Sequence, residues 1–134
     1  MKIESRIGII PENEEKIFSF FSNLNHIEPL IPKEKLSSWE FQEDSCRLGI
    51  TGIGEIRLRI LEKEPSKCIK LGSGEDSTYD FTLWIQLKQL SEKDTRVKLT
   101  LHANLNPFVQ GMAKKPLQNF VDTLVERMST IQYD

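Results

Sequence analysis

Three glycines, Gly49, Gly52 and Gly54, fall within six positions of the segment GITGIGEIRLRI, residues 49–60. Glycine lets backbone N–H groups approach an anion closely, so such a segment could hold a phosphate. A dinucleotide fingerprint needs a helix after the glycine turn, and a P-loop needs Gly-Lys-Ser/Thr before a helix. Here Gly54 is followed by Glu55 and a strand-like alternation. The segment therefore predicts a hairpin loop with glycines at positive φ, which would border the mouth of a cavity if the sheet encloses one.

Residues suited to hydrolytic or metal chemistry are few. His26 lies between two predicted helices, and His102 lies on the outward side of a predicted strand. Neither has a Ser, Cys or Asp at a spacing that favours a catalytic triad, so both are expected to be solvated. Cys46 and Cys68 lack the spacing of zinc ligands, so we expect reduced, partly buried thiols, with a disulfide left open. We assign no catalytic residue, no metal site and no cofactor.

The composition is typical of one globular domain. Of the 134 residues, 38% are hydrophobic and 28% are charged, which suffices for a single core. The formal net charge of −2 gives no support for a nucleic-acid partner, since phosphate binding requires clustered Lys and Arg. The segment MKIESRIGII lacks the apolar core of a signal peptide, and no run reaches membrane-spanning length. The expected location is therefore cytoplasmic.

The N-terminal part predicts a strand and then a helix. Residues 2–10 alternate with the period of a half-buried strand. The residues on its predicted inner side are Ile3, Ser5, Ile7 and Ile9. Asn13 is a suitable N-cap for a helix whose apolar residues recur at i, i+3, i+4 and i+7. These residues are Ile17, Phe20, Phe21 and Leu24. The segment NHIEPLIP then predicts a short second helix ended by its prolines.

Residues 37–105 predict six strands joined by short turns. Short turns between successive strands indicate an antiparallel meander, because parallel neighbours need long crossovers. The inward positions are almost all apolar, and the polar exceptions are Ser5, Cys46 and Tyr79. Without an inward Asp, Glu, His, Lys or Arg, the interior offers little for general acid–base catalysis. Outward Trp84 is expected to cover the outer face opposite Thr100 or His102.

The longest helix begins at Asn106 and Pro107, an N-cap residue followed by proline at the first helical position, and extends to about Ile131. Pro116 inside it must lose the hydrogen bond to the Met112 carbonyl. This predicts a kink and a separately directed segment, residues 108–112. The helix is the element able to cover the apolar face of the sheet.

The resulting order, β-α-α-β₆-α, resembles the START-related superfamily, also called SRPBCC. This superfamily includes polyketide cyclase/lipid-transport-like proteins and plant pollen-allergen-like proteins. The segments that carry the resemblance are FSFFSNLNHIEPLIP, FTLWIQL and LTLHANLNPFVQGMAKKPLQNFVDTLVERM. The resemblance covers essentially the whole chain and implies a single START-like domain, residues 1–134. It implies an α+β helix-grip fold, in which a curved seven-stranded antiparallel sheet wraps around a long C-terminal helix and leaves a hydrophobic cavity.

By position, the resemblance implies ligand contacts from inward strand residues, the interhelical region and the concave side of the last helix. The residues at these positions are Leu24, Trp39, Leu48, Ile50, Leu58, Tyr79, Phe81, Leu99, Leu101, Phe108, Met112, Phe120 and Leu124. We therefore expect binding of a small hydrophobic or amphipathic ligand, lipid-, sterol- or polyketide-like, without chemistry on it.

Two alternatives remain open at this stage. The first is a cyclase- or hydrolase-like enzyme that uses the same cavity. It would need a charged or imidazole group supplied by a loop, such as His26, Glu28 or Glu55. The second is a protein-interaction module with a filled core, which would use the outer face around Trp84 for a partner or for a homodimer.

Overall fold

The computed structural model describes residues 1–42, 44–52, 54–73 and 80–133. Within these ranges the chain forms eight strands, two α-helices and two 3₁₀ helices. In chain order they are β1 (Lys2–Glu4), β2 (Gly8–Ile10), α1 (Glu14–Phe21), a first 3₁₀ helix (Leu24–Leu30), a second 3₁₀ helix (Lys33–Lys35), β3 (Leu36–Gln42), β4 (Ser45–Ile50), β5 (Gly54–Glu64), β6 (Cys68–Ser73), β7 (Phe81–Ser91), β8 (Asp94–Ala103) and α2 (Pro107–Met128).

All eight of these strands belong to one antiparallel sheet. The strand order is β1-β8-β7-β6-β5-β4-β3, and β2 also pairs with β8. The six strands β3–β8 follow one another as a meander, and the N-terminal strands return to pair with the last strand. The α+β helix-grip fold expected from the sequence is therefore confirmed: a curved sheet holds a long C-terminal helix.

The N-terminal segment differs from the single strand predicted, because it changes face in the middle. Ile7 and Ile9 are 62% and 53% exposed, whereas Ile10 is buried. The register against β8 shifts by one residue between β1 and β2, and such a shift exchanges the two faces of a strand. At the junction Ser5 Oγ accepts a hydrogen bond from the Leu99 N–H over 2.9 Å. A period-2 pattern in the sequence cannot reveal this shift.

The first helical region forms largely as predicted. Asn13 Oδ1 accepts a hydrogen bond from the Lys16 N–H over 2.8 Å, which confirms the N-cap of α1. Ile17 and Phe21 are fully buried, and Phe20 is half-buried beside them. The short helix predicted for NHIEPLIP is a 3₁₀ helix, which turns Leu24, Ile27 and Leu30 inward.

The helix α2 packs on the sheet through its C-terminal half. Its buried residues are Val121, Leu124, Val125 and Met128. Hydrogen bonds join its edge to the β1–β2 segment. Gln118 Nε2 donates to the Glu4 carbonyl over 2.8 Å, the Arg6 N–H donates to Asp122 Oδ1 over 2.8 Å, and Arg6 Nη2 donates to Glu126 Oε2 over 2.9 Å. Asn106 Oδ1 accepts from the Val109 N–H over 2.9 Å, which confirms the predicted cap. Pro116 lies inside the helix, and the kink there stays a prediction.

Trp84 covers part of the outer face of the sheet, opposite Thr100, as the sequence predicts. Trp84 pairs with Thr100 across β7 and β8. On its other side it pairs with Lys70, whose Nζ lies 5.8 Å from the centroid of the indole ring. The ring is half-buried in this position. A cation over an aromatic face stabilises the pair by roughly 0.5–1 kcal/mol at exposed sites.

Candidate functional site

A cavity of about 330 Å³ lies between the sheet and α2. Its twenty lining residues are all Gly, Ala, Val, Leu, Ile, Met, Phe or Pro. In the described part of the chain, therefore, no lining residue carries a polar or titratable side chain. Such a wall can exclude water and enclose hydrocarbon, but it supplies no group for proton transfer or covalent chemistry.

The sheet forms one wall of the cavity, through the side chains that alternate to its inner face. The inward residues of the sheet at this site are Leu48, Ile50, Ile56, Leu58, Phe81, Leu83, Leu101 and Ala103, with Leu105 just beyond β8. The opposite wall is one face of α2, where the lining residues recur every three or four positions. Its residues are Val109, Met112, Ala113, Pro116, Leu117, Phe120, Val121 and Leu124. Ile27 and Ile31, in and just after the first 3₁₀ helix, complete the lining.

The mouth of the cavity lies between the start of α2 and the β4–β5 hairpin. Met112 lines the cavity and is 71% exposed, and Gly52 lines it from the exposed hairpin. Gly52 and Gly54 have φ values of 90° and 110°, which confirms the positive-φ hairpin predicted from the glycines. The Thr51 N–H donates to the Lys35 carbonyl over 2.8 Å and so joins the hairpin to the second 3₁₀ helix.

Eight of the thirteen residues predicted to contact ligand line this cavity. They are Leu48, Ile50, Leu58, Phe81, Leu101, Met112, Phe120 and Leu124. The structure thus brings most of the predicted set together, while contact with a ligand stays a prediction.

Four other predicted contacts lie elsewhere in the structure. Leu24 and Leu99 are buried in the core outside the cavity lining. Trp39 is half-buried on β3 and donates its Nε1–H to Asn25 Oδ1 over 3.0 Å. Phe108 is 82% exposed at the start of α2 and does not line the cavity. Tyr79, the predicted polar anchor, lies outside the described residues.

Several lining residues are absent from the predicted set although the sequence contains a signal for them. Ile56, Leu83 and Ala103 lie at inward-facing positions of the predicted strands. Leu117 and Val121 lie on the apolar stripe of α2. Ile27 and Ile31 have no comparable signal. Their place depends on how the 3₁₀ segment packs against strands that follow it in the chain.

The loop residues that could have supplied a titratable group do not line the cavity. His26 Nδ1 lies 2.6 Å from the Phe20 carbonyl oxygen, and the two rings stack with centroids 4.0 Å apart. His26 is thus half-buried rather than solvated as expected, whereas His102 is exposed. Glu28 is absent from the lining, and Glu55 lies 3.5 Å from Arg47 in an ion pair.

The two cysteines are free thiols outside the cavity lining. Cys46 is buried in the core, and this burial raises the pKa of its thiol to about 11. Burial and the nearby carboxylates of Glu64 and Glu62 also raise the pKa of Cys68. Both thiols are therefore protonated near neutral pH, which makes them poor nucleophiles and poor metal ligands. Residues 1–42, 44–52, 54–73 and 80–133 contain no group of three His, Cys, Asp or Glu arranged to hold a metal ion.

None of the helices in the described ranges combines the length and apolar character needed to cross a membrane.

Comparison with known proteins identifies the fold. No protein-family model and no curated protein sequence matches the chain. XoxI from Bacillus cereus is similar with a TM-score of 0.75 at 10% identity, over 96% of this chain and 93% of that chain. Norcoclaurine synthase from Thalictrum flavum is similar with a TM-score of 0.70 at 11% identity, over 95% of this chain and 85% of that chain. TTHA0849 from Thermus thermophilus is similar with a TM-score of 0.69 at 18% identity, over 97% of this chain and 95% of that chain. The chain therefore has the same helix-grip fold as these proteins.

Proposed function

We propose that this protein binds a small hydrophobic or amphipathic ligand in the cavity between the sheet and α2, without chemistry on it. The observation that carries the proposal is the cavity of about 330 Å³, which has apolar walls and a solvent-exposed mouth. Ligand sites in proteins are typically concave, mostly apolar and of roughly 300–1,000 Å³. A lipid-, sterol- or polyketide-like molecule is the chemical class that fits such walls.

The free energy for binding would come from removing apolar surface from water. Water inside would find no polar side chain on the described walls, so its release is favourable. Apolar surface transferred from water contributes roughly 25 cal/mol per Å².

The comparisons support binding but do not transfer a reaction. A point mutant of norcoclaurine synthase, which shares the fold at 10% identity and a TM-score of 0.71, was solved with a transition-state analogue. In that protein the fold therefore accommodates a small molecule. We propose binding rather than catalysis here because the described lining lacks an acid, a base or a nucleophile. The cavity among the described residues also favours ligand binding over the alternative of an interaction module with a filled core. The single-domain organisation and the cytoplasmic location are further proposals that follow from the sequence.

The proposal is tested by filling the cavity. Ala113 lines the cavity on α2, whereas Lys115 is exposed and lies outside the lining. Ala113→Trp should place a ring in the binding space, and Lys115→Trp adds the same ring outside it. The assay is the fluorescence enhancement of 1-anilinonaphthalene-8-sulfonate, followed by native mass spectrometry of delipidated protein after incubation with a cellular lipid extract.

We expect the wild type and Lys115→Trp to bind the dye and to retain added mass, and Ala113→Trp to lose at least tenfold in dye affinity. Circular dichroism and urea unfolding verify that both variants are folded. If the wild type neither enhances the dye nor retains mass from any extract, or if the two variants bind equally, the cavity is not a ligand site.

A further inference from the structure

We infer that the cavity takes up only the hydrocarbon part of its ligand and keeps every polar group at the mouth. A single-chain amphiphile would then bind with its head outward, and a polar group at the far end of the chain would oppose binding. This inference rests on the proposed function and adds to it a ligand class and an orientation.

The inner end of the cavity offers no hydrogen-bond partner from the described side chains. Among the most buried lining residues are Ile31, Leu48, Leu58, Val121 and Leu124. Each is aliphatic. Leu48 and Leu58 belong to strands with neighbours on both sides, and Val121 and Leu124 belong to the C-terminal half of α2. The Ile31 N–H donates to the Glu28 carbonyl over 3.0 Å. Backbone N–H and C=O groups at such positions are already paired within the sheet or the helix. A hydroxyl or charge carried to this end would therefore lose its water without replacement.

The mouth differs from the inner end because its lining residues are exposed. Met112 and Val109 are 71% and 37% exposed, and Gly52 lies in the exposed hairpin. A carboxylate or hydroxyl held beside them stays in contact with water and loses little solvation. The contrast between the two ends, rather than the apolar character alone, determines which way an amphiphile enters.

A comparison of isomeric ligands isolates this effect from general hydrophobicity. Straight-chain fatty acids from octanoic to tetradecanoic acid first identify the chain length that best displaces 1-anilinonaphthalene-8-sulfonate. At that length, the 2-hydroxy acid carries its hydroxyl beside the head, and the ω-hydroxy acid carries it at the far end. The two isomers contain the same groups, so their affinities differ only through where the hydroxyl is placed.

We expect the 2-hydroxy acid to bind within about threefold of the parent acid and the ω-hydroxy acid to bind at least tenfold more weakly, which corresponds to about 1.4 kcal/mol. This follows because an unpaired buried hydroxyl is costly. Equal affinity of the two isomers would overturn the inference. Dye binding without displacement by any of the acids would also overturn it, while leaving the proposed function standing. Absence of both dye and acid binding would instead refute the proposed function.

Two matched variants test the orientation. Val121→Thr adds a hydroxyl to the inner wall with little change in shape, and Val109→Thr adds the same hydroxyl at the mouth. Val121→Thr should reduce the preference for the 2-hydroxy acid over the ω-hydroxy acid, because the ω-hydroxyl of the ligand gains the threonine hydroxyl as a hydrogen-bond partner. Val109→Thr should leave that preference unchanged. The opposite pattern would overturn the head-outward orientation.

Discussion

Gly8 of β2 lies so close to Val125 of α2 that a β-carbon at position 8 would stand 2.5 Å from Val125 Cγ1. Both residues are buried. Because Gly8 has no side chain, the C-terminal half of α2 can lie directly on the sheet. Further toward its start, the same helix is separated from the sheet by the cavity. The contact at Gly8 thus sets one end of the space in which a ligand would bind.

Gly8→Ala should therefore destabilise the fold. The added methyl group must push Val125 or the helix away, and overpacking of this kind costs roughly 1–3 kcal/mol in the free energy of unfolding. Gly111→Ala is the matched control, since Gly111 is exposed within α2 and a β-carbon there would meet nothing within 4 Å. It should raise the free energy of unfolding by about 1 kcal/mol through helix propensity. Urea unfolding measures both, and a neutral Gly8→Ala would show that the helix can shift without cost.

Ser5→Ala should also destabilise the protein, because it removes the acceptor of a buried N–H. Ser5 Oγ accepts from the Leu99 N–H over 2.9 Å, and its hydroxyl donates to the Arg6 carbonyl over 2.7 Å. An unsatisfied buried donor costs roughly 1–3 kcal/mol. Ser19→Ala, at an exposed position of α1, should change the free energy of unfolding by less than about 0.5 kcal/mol. Equal effects of the two substitutions in urea unfolding would contradict this role for Ser5.

The buried thiol of Cys46 predicts a loss of stability at alkaline pH. Burial raises its pKa from 9.0 to about 11, so the unfolded chain releases this proton first as the pH rises. The contribution of Cys46 is therefore constant below 9.0, and the free energy of unfolding falls between 9.0 and about 11. The loss is on the order of 3 kcal/mol, at 1.36 kcal/mol per pKa unit.

Urea unfolding of the wild type and of Cys46→Ala at a series of pH values checks this prediction. The difference in stability between the two proteins should narrow as the pH rises from 9.0 toward about 11. Cys68→Ala serves as the control, since Cys68 is partly exposed and should show a smaller effect. A pH-independent difference for Cys46→Ala would argue against a buried, protonated thiol.

Two phenylalanines of α2 should respond differently in a binding assay. Phe120 lines the cavity, so Phe120→Ala removes part of its wall. The affinity for 1-anilinonaphthalene-8-sulfonate should fall about fivefold, which is equivalent to about 1 kcal/mol of lost apolar contact. Phe108 is 82% exposed and outside the lining, so Phe108→Ala should leave the affinity unchanged. A comparable loss in Phe108→Ala would mean that this ring contacts the bound molecule, as the sequence alone predicted.

The pattern of residues predicted the architecture well because most of its signals are local. Asn13 and Asn106 mark the starts of the two α-helices, and both caps form as expected. The alternation in β4–β8 correctly assigned the inward faces that form the cavity walls. The N-terminal strand was the exception. The face of Ile7 and Ile9 depends on the register against β8, almost ninety residues further along the chain.

The candidate site was predictable in its walls but not in its limits. The alternation of inward-facing strand positions identified Leu58 and Phe81. The same alternation also selected Leu99, which lies in the core outside the cavity. Residues of equal polarity on one face cannot be separated into core and lining by pattern alone. Phe108 was assigned to the site with the concave side of the last helix, and the structure leaves it exposed.

The sequence by itself determined the order of elements, their caps and the apolar character of the interior, because these depend on hydrogen bonds and periodicities among near neighbours in the chain. Only the tertiary structure decided that this interior is hollow. The gap between sheet and helix depends on contacts between distant residues, such as Gly8 with Val125, and on the path of the 3₁₀ segment that brings Ile27 and Ile31 to the cavity. Apolar residues recur with the same spacing in the sequence whether their side chains pack against other side chains or line an empty space.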